Sequence, residues 1–199
     1  TFTKSNKAGT PIANYVFPFV TECSTEESFE NLTDTFKITL PQNLLLNGRP
    51  LFVGDEIQDP IFERGMRVKV ELGYYPDLRT VFTGWVSEIS AKIPIEITCE
   101  DDMYLLKNTS VTYPSKDKLS VETRSKKSGK LLKRPRTTSP QITLKQLLDE
   151  ILSQGAADVA YEEPLIDVNL GQFRVSNVSI SKVLEVLKSK FGLFSYMIP

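Results

Sequence analysis

The chain has 199 residues, 40% of them hydrophobic and 25% charged, with a net charge of −1 and no histidine. At roughly 150 residues per domain this is one large domain or two small ones, with enough chain to bury a core without a metal or disulfide staple. The missing imidazole excludes Ser-His-Asp and Cys-His nucleophilic sites, His-liganded zinc and His acid–base chemistry, leaving only carboxylate, Lys, Tyr or Ser chemistry to an enzyme.

The opening TFTKSNKAGTPI lacks an apolar run and predicts no secretory signal, and no apolar run anywhere is long enough to cross a membrane. Asn14–Val20 puts Tyr15, Phe17 and Phe19 on one face of a predicted strand. Thr35–Leu40 alternates Phe36, Ile38 and Leu40 with Lys37 and Thr39 before Pro41 stops it. Met66–Tyr74 has the cleanest period of two. Met66, Val68, Val70 and Leu72 are expected to face a core, with Arg67, Lys69 and Glu71 in water. Thr80–Ile89 is apolar on both faces, through Val81, Trp85 and Ile89 and through Phe82 and Val86, and is expected to be a central strand. Ile95–Glu100 alternates again, and a short helix over Asp102–Lys107 follows. Strands at this density, punctuated by turns such as Tyr75-Pro76-Asp77, predict a barrel or sandwich over residues 1–112. Cys23 and Cys99 have no metal-binding spacing and are expected as reduced, buried thiols.

Charge is placed unevenly. Between Pro114 and Pro140 stand nine basic residues, Lys116, Lys118, Arg124, Lys126, Lys127, Lys130, Lys133, Arg134 and Arg136. Only Asp117 and Glu122 oppose them, so the segment carries +7 and the rest of the chain −8. It is rich in Ser, Thr and Pro without a sustained apolar period, which predicts a loop or linker over 113–140. Its charge suits an acidic protein surface or a nucleic acid backbone. The absence of aromatic residues between Lys116 and Arg136 argues against single-strand recognition, which uses stacking platforms.

After it the period changes. Thr143 and Gln146 form a T-x-x-Q capping box ahead of a helical stripe of Leu144, Leu147, Leu148, Ile151 and Leu152, ended by Gly155. Strands are expected at Leu165–Val168 and Gln172–Val175. A second helix begins near Ser179 with Ile180, Val183, Leu184, Leu187 and Phe191 on one face, and Gly192 ends it. A last strand is expected at Leu193–Ile198. Residues 141–199 thus form a small helix–strand–strand–helix–strand lobe, and the predicted fold class is α+β, mainly β: an antiparallel tube-like barrel followed by an α/β lobe. An apolar strand followed at once by the terminal Pro199 predicts an architecture that continues.

No constellation points to catalysis. Asp101-Asp102 stands where adjacent acids cap a helix, and Glu162-Glu163 precedes a proline in a predicted turn. Phe82-Thr83-Gly84-Trp85 could offer an aromatic for sugar or base stacking, although central-strand aromatics commonly serve the core. No phosphate-loop, dinucleotide, metalloprotease or nucleophile-elbow string occurs, so no enzyme activity, cofactor or metal is expected.

The run from Glu63 to Asn108 resembles the baseplate hub proteins of contractile tails, the late-control-D proteins of tailed phages and the hub portion of the VgrG spike. The shared features are Gly65 before a strand, Leu72-Gly73-Tyr74 at a turn, Phe82-Thr83-Gly84-Trp85-Val86, and Ile95–Glu100 leading to Asp101-Asp102 and a short helix. The segments TLKQLLDEIL and LGQFRVSNVSISKVLEVLKSKFGLFSYMI are similar to that family's second lobe. The resemblance implies a structural subunit in a homotrimer, whose paired barrels form a pseudo-hexameric ring between the tail tube protein and a central spike. Such a protein would be assembled in the bacterial cytoplasm and then reside in a virion tail or injection particle, with neither membrane nor nucleic acid as partner. Only one barrel is present here, where that family carries a second. The rival reading is a carbohydrate- or nucleic-acid-binding barrel module without enzymatic activity.

Overall fold

In the computed structural model the described residues are all except 7–8, 19, 29, 42–43, 47–48, 51, 54–55, 58–60, 75, 91–93, 115–119, 125–130, 136–140, 156–158, 160, 163, 165 and 198–199, with backbone alone at 46, 49–50, 52–53, 56–57, 120–124 and 131–135. The chain divides into two compact units, Thr1–Tyr104 with Phe194–Pro199, and Leu105–Leu193. The first therefore ends earlier than residue 112. The fold is α+β and mainly β, as the alternating periods imply.

The first unit opens with strands β1 (Phe2–Ser5), β2 (Pro11–Tyr15), β3 (Glu22–Glu26) and β4 (Thr35–Leu40). Two short ladders follow, β5 (Leu45–Leu46) with β6 (Arg49–Pro50), and β7 (Phe52–Val53) with β8 (Glu56–Ile57). Then come β9 (Arg67–Tyr74), β10 (Asp77–Ile89), β11 (Ile95–Glu100) and the helix α1 (Met103–Asn108). Seven of these strands make one sheet in the order β2-β1-β9-β10-β11-β4-β3. Every neighbouring pair in it is antiparallel. With an odd number of strands the two edges, β2 and β3, run in the same direction. They are also consecutive in the chain, so residues 16–21 carry the backbone from one edge of the sheet to the other.

The core explains why the sheet curls. Phe36, Ile38 and Leu40 of β4, Val68 of β9, Phe82 and Val86 of β10, and Ile95, Ile97 and Cys99 of β11 are buried in one cluster. Tyr15 of β2 and Cys23 of β3 pack against the same cluster, as do Phe17 and Val20 between them, so both edges wrap a single interior. Phe2, Phe17 and Phe62 form an aromatic triangle with ring centroids 5.1–5.8 Å apart, and Phe36 stacks on Phe82 at 5.1 Å. Such contacts add about 0.5–1.5 kcal/mol each beyond the area they bury. Both cysteines are free, and burial pushes the Cys99 thiol up to about 12.

Three expectations need correction here. The strand expected over Asn14–Val20 ends at Tyr15, although Tyr15 and Phe17 do face the core; Phe19 lies outside the described residues. Leu72 does not face the core but is 42% exposed, and Tyr74 beyond it is 93% exposed. The β9–β10 hairpin runs past the end of the buried cluster, so every described residue from 71 to 81, Val81 included, is exposed. Trp85 on the outward face of β10 is half-buried.

The second unit contains β12 (Ser110–Tyr113), β13 (Ser120–Arg124), β14 (Leu131–Pro135), β15 (Gln141–Thr143), α2 (Leu144–Ser153), β16 (Asn169–Gln172), β17 (Val175–Ser179) and α3 (Ile180–Phe191). The capping box is formed: Thr143 Oγ1 accepts from Gln146 N–H at 3.5 Å and Gln146 Oε1 accepts from Thr143 N–H at 3.4 Å. Leu144, Leu147, Ile151 and Leu152 are buried along α2, and Ile180, Val183, Leu184 and Leu187 along α3. Ser179 caps the start of α3, and Gly192 ends it at φ +67°, a left-handed conformation that costs glycine little. Phe191, which the stripe groups with the buried residues, is exposed.

The strands of this lobe also sit later than expected, at Asn169–Gln172 and Val175–Ser179. They pair with β15 and β12 rather than with each other. Residues 193–197 form no strand: their alternating pattern is not joined to any sheet among the described residues.

Candidate assembly interface

The basic segment contains structure where a linker was expected. Ser120–Arg124 and Leu131–Pro135 pair antiparallel, with Val121 opposite Arg134, Glu122 opposite Lys133 and Arg124 opposite Leu131. Of the nine basic residues, Arg124, Lys133 and Arg134 are thereby placed on one two-stranded ribbon. Lys116, Lys118, Lys126, Lys127, Lys130 and Arg136 lie outside the described residues. Sequence reading missed the ribbon because its strands carry no alternating apolar face. Its signal was Ser120-Val121 and Leu131-Leu132 on either side of Ser128-Gly129 in the sequence.

The two aspartates after β11 are brought together with residues distant in sequence. Asp101 is buried, and its carboxylate accepts from Met103 N–H at 3.0 Å and from Asp34 N–H at 3.2 Å. Its own N–H donates to Asp34 O at 3.2 Å. It therefore ties the entry of β4 to the start of α1. Asp102 Oδ1 accepts from Arg67 Nη1 at 2.9 Å and from the Trp85 indole N–H at 2.7 Å. The Arg67 guanidinium lies 4.9 Å from the Trp85 ring centroid, and Tyr104 stacks on that ring at 6.4 Å. The indole expected as a possible sugar or base platform is thus engaged by its own neighbours, while Phe82 belongs to the core. Asp101 caps the start of α1, as an acid ahead of a helix suggests, whereas the Asp102 carboxylate is spent on Arg67 of β9 and Trp85 of β10. Glu162 is exposed, and Glu163 lies outside the described residues.

Burial, the largest effect, raises the Asp101 carboxyl to about 6, partly offset by the two backbone N–H groups that favour the anion. With an unfolded value near 3.8, the native state holds this proton over a pH range where the unfolded chain has released it. The contribution is fully present below about pH 4 and is lost as pH rises through 6, amounting to about 2–3 kcal/mol. Denaturant melts of wild type and Asp101→Asn from pH 4 to 7.5 check this. The stability of wild type relative to the variant is expected to fall with rising pH, and a flat difference would contradict it.

Among the described residues no group of His, Cys, Asp and Glu could hold a metal ion, and no helix is long and apolar enough to cross a membrane. No protein-family model matches the chain, and no curated protein matches it either.

Proposed function

We propose that the chain is a structural subunit of a contractile-tail baseplate or phage-tail-like injection system, a hub component whose ring adapts the tail tube to the central spike. The observation that carries this reading is the order in which the family-like features follow one another along the curled sheet. Gly65, at φ +81°, turns the chain into β9. Leu72-Gly73-Tyr74 approaches the β9–β10 turn, Phe82–Val86 lies in β10, Ile95–Glu100 is β11, and Asp101-Asp102 leads into α1. The α2, β16, β17 and α3 lobe follows in the expected order. The absence of His and of any nucleophile string supports a mechanical role without turnover.

On this reading the subunit self-associates, as a homotrimer in the family it resembles, and contacts the tail tube and spike proteins. It is a particle component assembled in the bacterial cytoplasm. The basic residues Lys116, Lys118, Arg124, Lys126, Lys127, Lys130, Lys133, Arg134 and Arg136 are its assembly contact. Co-sedimentation with tubes polymerised from a contractile-tail tube protein tests the proposal. Saturable binding to tube ends is expected. Failure to bind, together with saturable binding of a glycan or an oligonucleotide by the isolated chain, would replace it with the rival binding-module reading.

A further inference from the structure

The β9–β10 hairpin extends beyond the buried cluster as a two-stranded arm. Val70 opposite Phe82 is the last rung to reach the cluster; beyond it Leu72 lies opposite Arg79 and Tyr74 opposite Asp77. Residues paired in a rung share a face, as do alternate residues of a strand. Leu72, Tyr74, Arg79 and Asp77 therefore all lie on the side of the sheet that carries the core. The register shift between Thr80 and Phe82 adds one residue to β10, which is what brings Arg79 to the side of Phe82.

This face is left in water, since every described residue from 71 to 81 is exposed. Among the described residues no third strand flanks the arm: β1 pairs with β9 at Arg67 and Val68, and β11 pairs with β10 from Trp85 onward. A two-stranded ribbon with neither a third strand nor a packed layer is marginal in water. Leu72 and Tyr74 make an apolar row along β9, and Arg79 and Asp77 make a row of opposite charges along β10. Asp77 and Arg79 form no ion pair among the described residues.

The order of these four residues is self-complementary. Let a second arm lie face to face on the first at the usual sheet spacing of about 10 Å, related by a two-fold axis that crosses the strands between the two rungs. Each Leu72 then meets the other's Tyr74, and each Arg79 meets the other's Asp77. A two-fold axis along the strands would instead set Leu72 on Arg79 and Tyr74 on Asp77, leaving both charges unpaired against apolar groups. We infer that the core-side face of this arm is a contact with the same face of a second copy of the chain. The contact is isologous, whereas a ring closes by heterologous contacts, so it goes beyond the proposed function and does not rest on it. Two rungs make an interface at the small end of the specific range, below about 1,200 Å², so the pair is weak. Its ion pairs are exposed, so it weakens further as salt shortens the Debye length from about 8 Å at physiological ionic strength.

Charge exchange on β10 tests this, read by sedimentation equilibrium of the full chain at low salt from micromolar to millimolar concentration. Wild type is expected to show weak, salt-sensitive self-association. Asp77→Arg puts two cations against each other at both ends of the pair, and Arg79→Asp puts two carboxylates there. Each is expected to associate about fivefold or more weakly than wild type. The double variant Asp77→Arg/Arg79→Asp restores opposite charges and is expected to associate within about twofold of wild type. An equimolar mixture of the two single variants is expected to associate as well, because one face then carries only cations and the other only carboxylates. Recovery in the double variant and in the mixture also shows that the single variants are folded. A wild type that stays at the mass of one chain overturns the inference. So do single variants that associate as wild type does, since that association then belongs to another contact. A double variant that associates no better than the single ones overturns it too. None of these results bears on binding to tail tubes, so the assembly reading stands or falls separately.

Discussion

Val68→Asp is expected to unfold the first unit. Val68 is 0% exposed, opposite Phe2 of β1 on one side and Gly84 of β10 on the other. A carboxylate there would stand among the apolar side chains of the buried cluster. An unpaired buried charge of this kind costs about 4 kcal/mol or more, against a total stability of about 5–15 kcal/mol for a domain. Leu72→Asp on the same face of the same strand is expected to cost only about 0.5 kcal/mol, because Leu72 lies where the hairpin has left the core. Urea melts of the two variants followed by circular dichroism check the contrast. Equal melts would show that the interior does not end between Val70 and Leu72.

Gly84→Ala is the second large effect. A Cβ at Gly84 would stand 2.1 Å from the Glu100 carbonyl oxygen and 2.7 Å from the Phe82 ring. The carbonyl is main chain and cannot swing aside, and the ring is stacked on Phe36. Relieving the clash requires β10 to move away from β11 in the middle of the sheet. Overpacking of this kind typically costs about 1–3 kcal/mol, and the backbone contact places this case at about 3 kcal/mol. The glycine is therefore explained by the close approach of two strands, whatever assembly the chain enters. Trp85 emission provides the measurement, since Trp85 is the only tryptophan and lies next to Gly84. A lowered midpoint in urea is expected, and an unchanged one would contradict the packing.

The strands that were legible in the sequence are those with one wet and one buried face. Thr35–Leu40 and Ile95–Glu100 appear with the boundaries their alternation suggests, and β10 is central because Phe82 and Val86 face inward while Trp85 is covered from outside. The helices were legible because caps and stripes agree at Thr143, Gln146, Ser179 and Gly192. The strands that were missed are polar. Phe2–Ser5 has Phe2 in the core and Glu22–Glu26 only Cys23 against it, so neither carries enough apolar residues to show a period.

The converse failure is equally physical. Residues 193–197 alternate like a strand, but alternation marks a strand only where the segment joins a cross-strand ladder, and this one joins none among the described residues. In the candidate interface, composition revealed the charge of the basic segment but not its ribbon.

The most direct measurement of the central claim, that this chain is a ring-forming assembly subunit, is electron microscopy of the purified protein at tens of micromolar and low salt. The account predicts closed rings of uniform diameter, with three-fold class averages. Particles the size of one chain at every concentration, with or without tail tubes, would contradict it.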